Sequence, residues 1–265
     1  MTTKTLSGKW ALILGASSGF GAAAAQELAR HGAHIIGVHL DRRAALSNVE
    51  ALIKTIQSHG VQAHFFNVNA ADPLKRQEVL DQIQPALAGS AISVLMHSLA
   101  FGTLKPYLSA DPKEQLTKDQ MEMTLDVMAN SLVYWVQDLI GRKLLGQGSR
   151  IFAMTSSGGA RVWPTYGAVS AAKASLESHV RQLAMELAPF GVTANCIRAG
   201  VTDTPALRKI PGNEQMMEFS KVRNPYHRLT TPDDVARAVA TLSNSGSDWV
   251  TGNVIGVDGG EDIVG

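Results

Sequence analysis

The chain has one cysteine, few aromatic residues, almost no net charge and no long apolar run, and each shortage excludes a class of protein. A lone thiol, Cys196, cannot build an intramolecular disulfide framework or a Cys-x-x-Cys metal site. It lies in the apolar run Val192–Ile197 and reads as a buried small hydrophobe rather than a reactive thiol. No window approaches the ~18 uninterrupted apolar residues of a membrane span. The opening segment MTTKTLSGKW lacks the apolar stretch of a secretory leader, so a soluble, cytoplasmic protein with no membrane partner is expected. With 24 Lys and Arg against 23 Asp and Glu, nothing favours nucleic acid as a partner. The eight histidines are scattered without metal-ligand spacing, so no metal is expected, and His97 is better explained by its place at a strand end.

What is present is alternation. Short apolar runs at Trp10–Leu14, Ile35–His39, His64–Val68, Ile92–His97, Arg150–Thr155, Thr193–Ile197 and Asn253–Val257 read as strands. Between them, Gly21–His31, Arg43–His59, Lys75–Leu87, Lys118–Leu145, Tyr166–Phe190 and Pro232–Ser243 read as helices. Thr231-Pro232-Asp233-Asp234 is a well-formed helix start. Strands of about five residues separated by helices predict right-handed βαβ units. The fold class is therefore α/β: one Rossmann-type, doubly wound parallel sheet of about seven strands, helices on both faces, in a single domain over residues 1–265.

The first strand runs straight into Gly15-Ala16-Ser17-Ser18-Gly19-Phe20-Gly21, followed by an alanine-rich helix. Glycines let the backbone approach a pyrophosphate, whose charge is stabilised by free N–H groups at a helix N-terminus. The second strand ends in Asp41-Arg42-Arg43. An acid there pairs with the adenosine ribose and favours NAD; arginines clamp a 2′-phosphate and favour NADP. Both signals are present, and the paired guanidiniums tip the expectation to NADP(H), with NAD(H) as the alternative.

At this point the chain resembles the short-chain dehydrogenase/reductase family over essentially its whole length. The glycine turn, the strand end Asn67-Val68, the element Ala199-Gly200-Val201-Thr202-Asp203-Thr204 and the terminal Val257-Asp258-Gly259-Gly260 all carry the likeness. The resemblance implies that Gly15, Ser17, Ser18, Gly19, Phe20, Gly21, Asp41, Arg42, Arg43, Asn67, Val68, Gly200, Val201, Thr202 and Thr204 contact the dinucleotide. Most members carry Tyr-x-x-x-Lys, but four residues before Lys173 stands Val169, which has no proton to give. The tyrosine is Tyr166, and the seven-residue spacing resembles the enoyl-acyl-carrier-protein reductases. His97-Ser98-Leu99-Ala100-Phe101, Asp126 in place of the usual asparagine, and the run Ala172–Glu177 fit the same subgroup. Ser98, Leu99 and Ala100 join the implied cofactor contacts, and Lys173 is implied to hold the nicotinamide ribose.

The spacing has a chemical rationale. On a helix, offsets of four and seven residues both return near one face, but they differ in rise, about 6 Å against about 10 Å. Reduction of an enoyl thioester places hydride on the β-carbon, while charge collects on an oxygen further along the conjugated system. A donor set further from the lysine suits that demand. Tyr166 is therefore expected to stabilise the enolate oxygen, with the charge of Lys173 lowering its pKa. Ser156, ten residues before Tyr166, stands where carbonyl-reducing relatives keep a catalytic serine; it either bonds the substrate carbonyl or simply ends a strand.

Residues 202–225, with two prolines before the closing Pro225 and the apolar cluster Met216, Met217 and Phe219, are expected to form a lid over the substrate. Trp163, Phe101 and Tyr107 are candidates to wall an acyl channel, and Arg208, Lys209, Lys221, Arg223 and Arg228 to receive an acidic acyl carrier protein. The expected activity is an NAD(P)H-dependent enoyl-thioester reductase of fatty acid synthesis, acting on an acyl thioester carried by that protein. The resemblance also implies a homotetramer packed through the long helices. Two rivals stand: a carbonyl reductase with a displaced tyrosine, supported by Ser156, and a non-catalytic dinucleotide sensor.

Overall fold

The computed structural model describes residues 4–264; residues 1–3 and 265, at the edges of the expected 1–265 domain, lie outside the described residues. Seven parallel strands form one sheet in the order β3-β2-β1-β4-β5-β6-β7. They are β1 (Trp10–Leu14), β2 (His34–His39), β3 (Ala63–Asn67), β4 (Ile92–His97), β5 (Arg150–Thr155), β6 (Thr193–Ala199) and β7 (Val254–Val257). Strand alternation feeds two cores. Trp10, Leu12 and Leu14 of β1 enter one, while Ala11 and Ile13 enter the other.

The first face is covered by α3 (Pro73–Leu87), α5 (Ser131–Gly141) and α6 (Gly167–Glu186). The second is covered by α1 (Gly19–Arg30), α2 (Leu46–Gln57) and α8 (Pro232–Leu242). Two further helices, α4 (Lys118–Leu125) and α7 (Asn213–Arg223), lie at the carboxyl ends of the strands or lead into the first face. The strand order reverses between β1 and β4, so the crevice of this doubly wound sheet opens there.

Local chemistry sets the helix starts. Asp72 caps α3 by accepting from the amides of Leu74 and Lys75, with Pro73 at the first position. Thr231 and Asp234 form the reciprocal cap expected for α8.

Three predicted helices change shape, the one over Tyr166–Phe190 running only from Gly167 to Glu186 before a separate tight turn at Ala188–Phe190. The segment expected as one helix over Lys118–Leu145 is broken by a π turn at Asp126–Asn130 and stops at Gly141, where Lys143 turns the chain out at φ 58°. Leu144 and Leu145 are buried beyond the helix, which is why their apolar pattern read as a continuation of it. The stretch from Arg43 begins as a tight turn, Arg43–Ala45, before α2 starts at Leu46. Among the described residues no helix is long and apolar enough to cross a membrane.

Candidate active site

Three chain segments meet at the switch point. The glycine turn after β1 lies against the end of β4: a side chain at Gly15, whose φ is 88°, would strike the backbone carbonyl of Ser98, and one at Gly21 would strike that of Gly15. The third segment is the turn after β6, whose Thr204 methyl lies 3.6 Å from where a Cβ on Gly19 would stand. Thr202 and Thr204 are both buried, with Thr202 Oγ1 donating to the Gly200 carbonyl (2.9 Å) and Thr204 Oγ1 accepting from the Leu207 amide (3.2 Å). Ser18, which precedes α1, makes no side-chain cap bond. The first amides of α1 therefore have no capping side chain among the described residues, which leaves the donor set a pyrophosphate needs.

At the adenosine end, Asp41 is fixed twice. Its backbone exchanges hydrogen bonds with the Asn67 side chain (2.9 and 3.0 Å), and its carboxylate stands 2.8 Å from Nδ1 of the buried His39. His39 is a residue the sequence reading missed; its only signal was the last position of β2. Arg42 and Arg43 are exposed, and neither pairs with an acid among the described residues. Val68 follows β3 and packs against the first core. Leu99 lies 3.4 Å from the Cβ position of Gly15, while Ala100 is exposed.

The candidate donor stands at the start of α6. Tyr166 is the residue before the helix, preceded by Thr165 in the left-handed region at φ 63°. A β-branched residue there is strained, and it sets the direction from which Tyr166 enters the cleft. The Tyr166 ring lies so close to Gly158 that a Cβ there would sit 2.5 Å from it. Lys173, two turns further, is buried at 5% exposure and donates to the Met154 carbonyl (2.6 Å). Val169, in the place the usual tyrosine would take, is packed into the first core.

The electrostatics differ from one sequence expectation. Burial pushes the Tyr166 hydroxyl above the ordinary phenol value, and the group pulling it back is Ser156. Lys173 was expected to lower it, but its own burial brings the ammonium down to about 8. Ser156 also accepts from the Gly158 amide (3.1 Å), so it both shapes the strand end and faces Tyr166. Behind them, His97 is fully buried and held neutral, pushed down to about 3 by desolvation and then by Lys173. One of its ring nitrogens meets the Ser131 hydroxyl (2.9 Å) and the other has no partner among the described residues. The Cys196 thiol is pushed up to about 12 by burial, as an inert core residue would be.

The segment expected as a lid contains a short turn, Leu207–Lys209, and α7, with Leu207 and Ile210 buried, Met216 and Met217 half-buried and Phe219 exposed. Trp163 ties the Tyr166 loop to it through a hydrogen bond to the Pro211 carbonyl (3.0 Å). Tyr107 packs against the start of α6 at Gly167, whereas Phe101 is largely exposed. Four of the five residues expected to form a basic docking patch pair with acids: Arg208 with Asp203, Lys221 with Glu218, Arg228 with Asp234 and Arg223 with Glu261. Of the five, only Lys209 has no acidic partner among the described residues. Local pairing cancels charges that a linear reading counts singly. Asp126 lines a pocket with Ala71, Pro73, Arg76 and Tyr134, none of which belongs to the site.

A doubly wound sheet, a glycine turn with free amides at its switch point, and a tyrosine and a buried lysine on one helix define a short-chain dehydrogenase/reductase. The family model described as Enoyl-(Acyl carrier protein) reductase matches residues 15–261, and the chain belongs to that family. It is 28% identical to the NADPH-dependent aldehyde reductase-like protein, chloroplastic, of Arabidopsis thaliana, over 96% of this chain and 94% of that one. It is likewise 28% identical to the 1-cyclohexenylcarbonyl-CoA reductase of Streptomyces collinus, over 96% and 86%. The crystal structure of FabI from Candidatus Liberibacter asiaticus superposes with a TM-score of 0.86 at 25% identity, over 99% of this chain and 98% of that one. The chain is thus an oxidoreductase of this family.

Proposed function

We propose that the chain is an NADPH-preferring enoyl-thioester reductase of fatty acid synthesis, acting in the cytoplasm on an acyl group carried by acyl carrier protein, and assembled as a homotetramer. The observation that carries this reading is the placement of Tyr166 seven residues ahead of the buried Lys173, with Val169 packed away in the core. The nicotinamide, when bound, supplies hydride to the β-carbon of the substrate. Tyr166 donates its hydroxyl hydrogen bond to the thioester oxygen as enolate charge develops there. Lys173 holds the ribose hydroxyls, and its burial keeps its donors aimed rather than solvated. Ser156 hydrogen-bonds the tyrosine hydroxyl and steadies it. The free amides of α1 would hold the pyrophosphate, and Arg42 and Arg43, exposed and without an acidic partner among the described residues, would hold an adenosine 2′-phosphate, while the Asp41 carboxylate is engaged by His39. A relative named for a cyclohexenylcarbonyl thioester of coenzyme A supports the substrate class.

A carbonyl reductase is the second reading, favoured by Ser156 beside Tyr166 and by the aldehyde reductase-like relative. Oxidation of NADPH and NADH with crotonyl-coenzyme A, set against acetoacetyl-coenzyme A, separates the two. Turnover of the enoyl substrate that falls about 10²- to 10³-fold in Tyr166→Phe is expected for the first reading, the range seen when one oxyanion donor is removed. Turnover of the keto substrate alone refutes it. Binding of the dinucleotide with no turnover of either would instead favour a sensor.

A further inference from the structure

The turn after β7, Glu261–Ile263, carries two adjacent acids whose partners lie on three different walls of the cleft. Glu261 is buried at 3% exposure. Its carboxylate accepts from the Val201 amide (3.1 Å), from Ser220 Oγ (3.2 Å) and from Arg223 Nη2 (3.4 Å). Val201 follows Gly200 in the turn after β6, and Ser220 and Arg223 lie on the lid helix α7. The approach is close: a Cβ on Gly200 would stand 2.9 Å from Glu261 Oε2. Asp262 reaches the third wall. Arg161 Nη2 donates to its backbone carbonyl (2.8 Å) and stands 3.0 Å from its carboxylate, five residues ahead of Tyr166. Arg198 of β6 stands 3.0 Å from the other carboxylate oxygen.

The turn itself is fixed from below. Asp258 accepts from the amides of Gly260 (2.9 Å) and Asp262 (3.2 Å), and Asn224 Nδ2 donates to the Asp258 carbonyl (2.8 Å). A carboxylate buried among three donors is a poor way to gain stability, since desolvation offsets most of the attraction. Removing it leaves the Val201 amide and a partly buried guanidinium unpaired. What such an arrangement supplies is a fixed geometry between elements far apart in the chain.

We propose that Glu261 and Asp262 are positioning residues that lock the lid helix, the turn after β6 and the Tyr166 loop into one closed unit around the reacting atoms. Glu261 is the latch of the lid, and Asp262 holds the loop that carries the donor. Lid closure and the geometry of the dinucleotide turn are then a single event, because the same carboxylate serves both.

The test is limited trypsin digestion of the whole protein with saturating NADPH, comparing wild type, Glu261→Ala and Glu261→Gln. Cleavage is read after Arg208, Lys209, Lys221 and Arg223 in the lid segment and after Lys54 on α2 as a reference. Glu261→Ala is expected to accelerate lid cleavage about tenfold or more, as follows from losing the bonds to Ser220 and Arg223 of α7 in a local opening equilibrium, with Lys54 unaffected. Glu261→Gln, which keeps one acceptor oxygen at the site but loses the charge, is expected to recover part of the protection. In parallel, KM for crotonyl-coenzyme A should rise more than kcat falls. Only that last arm rests on the enoyl-thioester reading. If wild type does not turn over crotonyl-coenzyme A, that reading fails while the digestion still decides the latch. Lid cleavage unchanged in Glu261→Ala overturns the proposal, and so does cleavage that accelerates equally at Lys54, which signals general loosening.

Discussion

Replacing Lys173 by methionine should change the pH dependence of stability in a direction the structure dictates. Lys173 is buried and its ammonium is brought from the ordinary 10.5 down to about 8 by desolvation. Between those values the unfolded chain holds a proton that the folded chain has released. Raising the pH through this window therefore disfavours the unfolded state, and the wild-type protein gains stability. Below about pH 8 the folded protein carries the full penalty of a buried charge. At 1.36 kcal/mol per unit, that penalty is about 3 kcal/mol. Lys173→Met removes it and also removes the hydrogen bond to the Met154 carbonyl, a loss of about 1.5–3 kcal/mol in the opposite sense. The absolute offset is a small difference, but the pH trend is not. The stability of Lys173→Met relative to wild type should fall by about 2 kcal/mol between pH 7.5 and pH 10, most of the wild-type penalty having titrated away. Urea denaturation of both proteins without dinucleotide, followed by circular dichroism at several pH values, measures it. A difference that stays flat across the window, or grows with pH, would refute the claim that Lys173 is held against its own charge for function.

Other consequences follow from the same geometry. Arg42→Ala with Arg43→Ala should weaken NADPH binding by about tenfold or more, the scale of a lost charge-assisted contact, and leave NADH binding nearly unchanged in a fluorescence titration. Equal loss for both dinucleotides would remove these arginines from cofactor choice. Gly158→Ala should displace the Tyr166 ring, because the new methyl meets it at 2.5 Å. Turnover should drop while dinucleotide affinity is retained, and unaltered kcat would show that the ring has room to move. Thr231→Ala should destabilise the protein by about 1 kcal/mol through the loss of the α8 cap, readable as a lower urea midpoint at unchanged slope.

Much of this protein is legible in the chain. Strand runs such as Trp10–Leu14, Ile92–His97 and Arg150–Thr155 coincide with strands in the structure because strands buried on both faces must be continuously apolar. The glycine turn was legible because only residues without side chains tolerate the approach of Ser98 and of the turn to itself. The seven-residue interval from Tyr166 to Lys173, and the exclusion of Val169, are likewise properties of one helix, so linear spacing already contains them.

Only tertiary structure decided the rest, and for a common reason: burial and pairing depend on residues far apart in sequence. The π turn at Asp126–Asn130 interrupts a segment whose periodicity looks helical throughout. Burial, rather than the nearby lysine, sets the Tyr166 hydroxyl, because desolvation is a property of the packed cleft. Of the basic residues at 202–228, only Arg223 is met from far along the chain, by Glu261, whereas Arg208, Lys221 and Arg228 pair with acids three to six residues away that a reading of neighbouring charges could have found. Glu261 and Asp262, across the cleft from Val201 and Arg161, carry no local pattern at all. Their partners are brought to them by the order of the sheet, which places the ends of β5, β6 and β7 side by side.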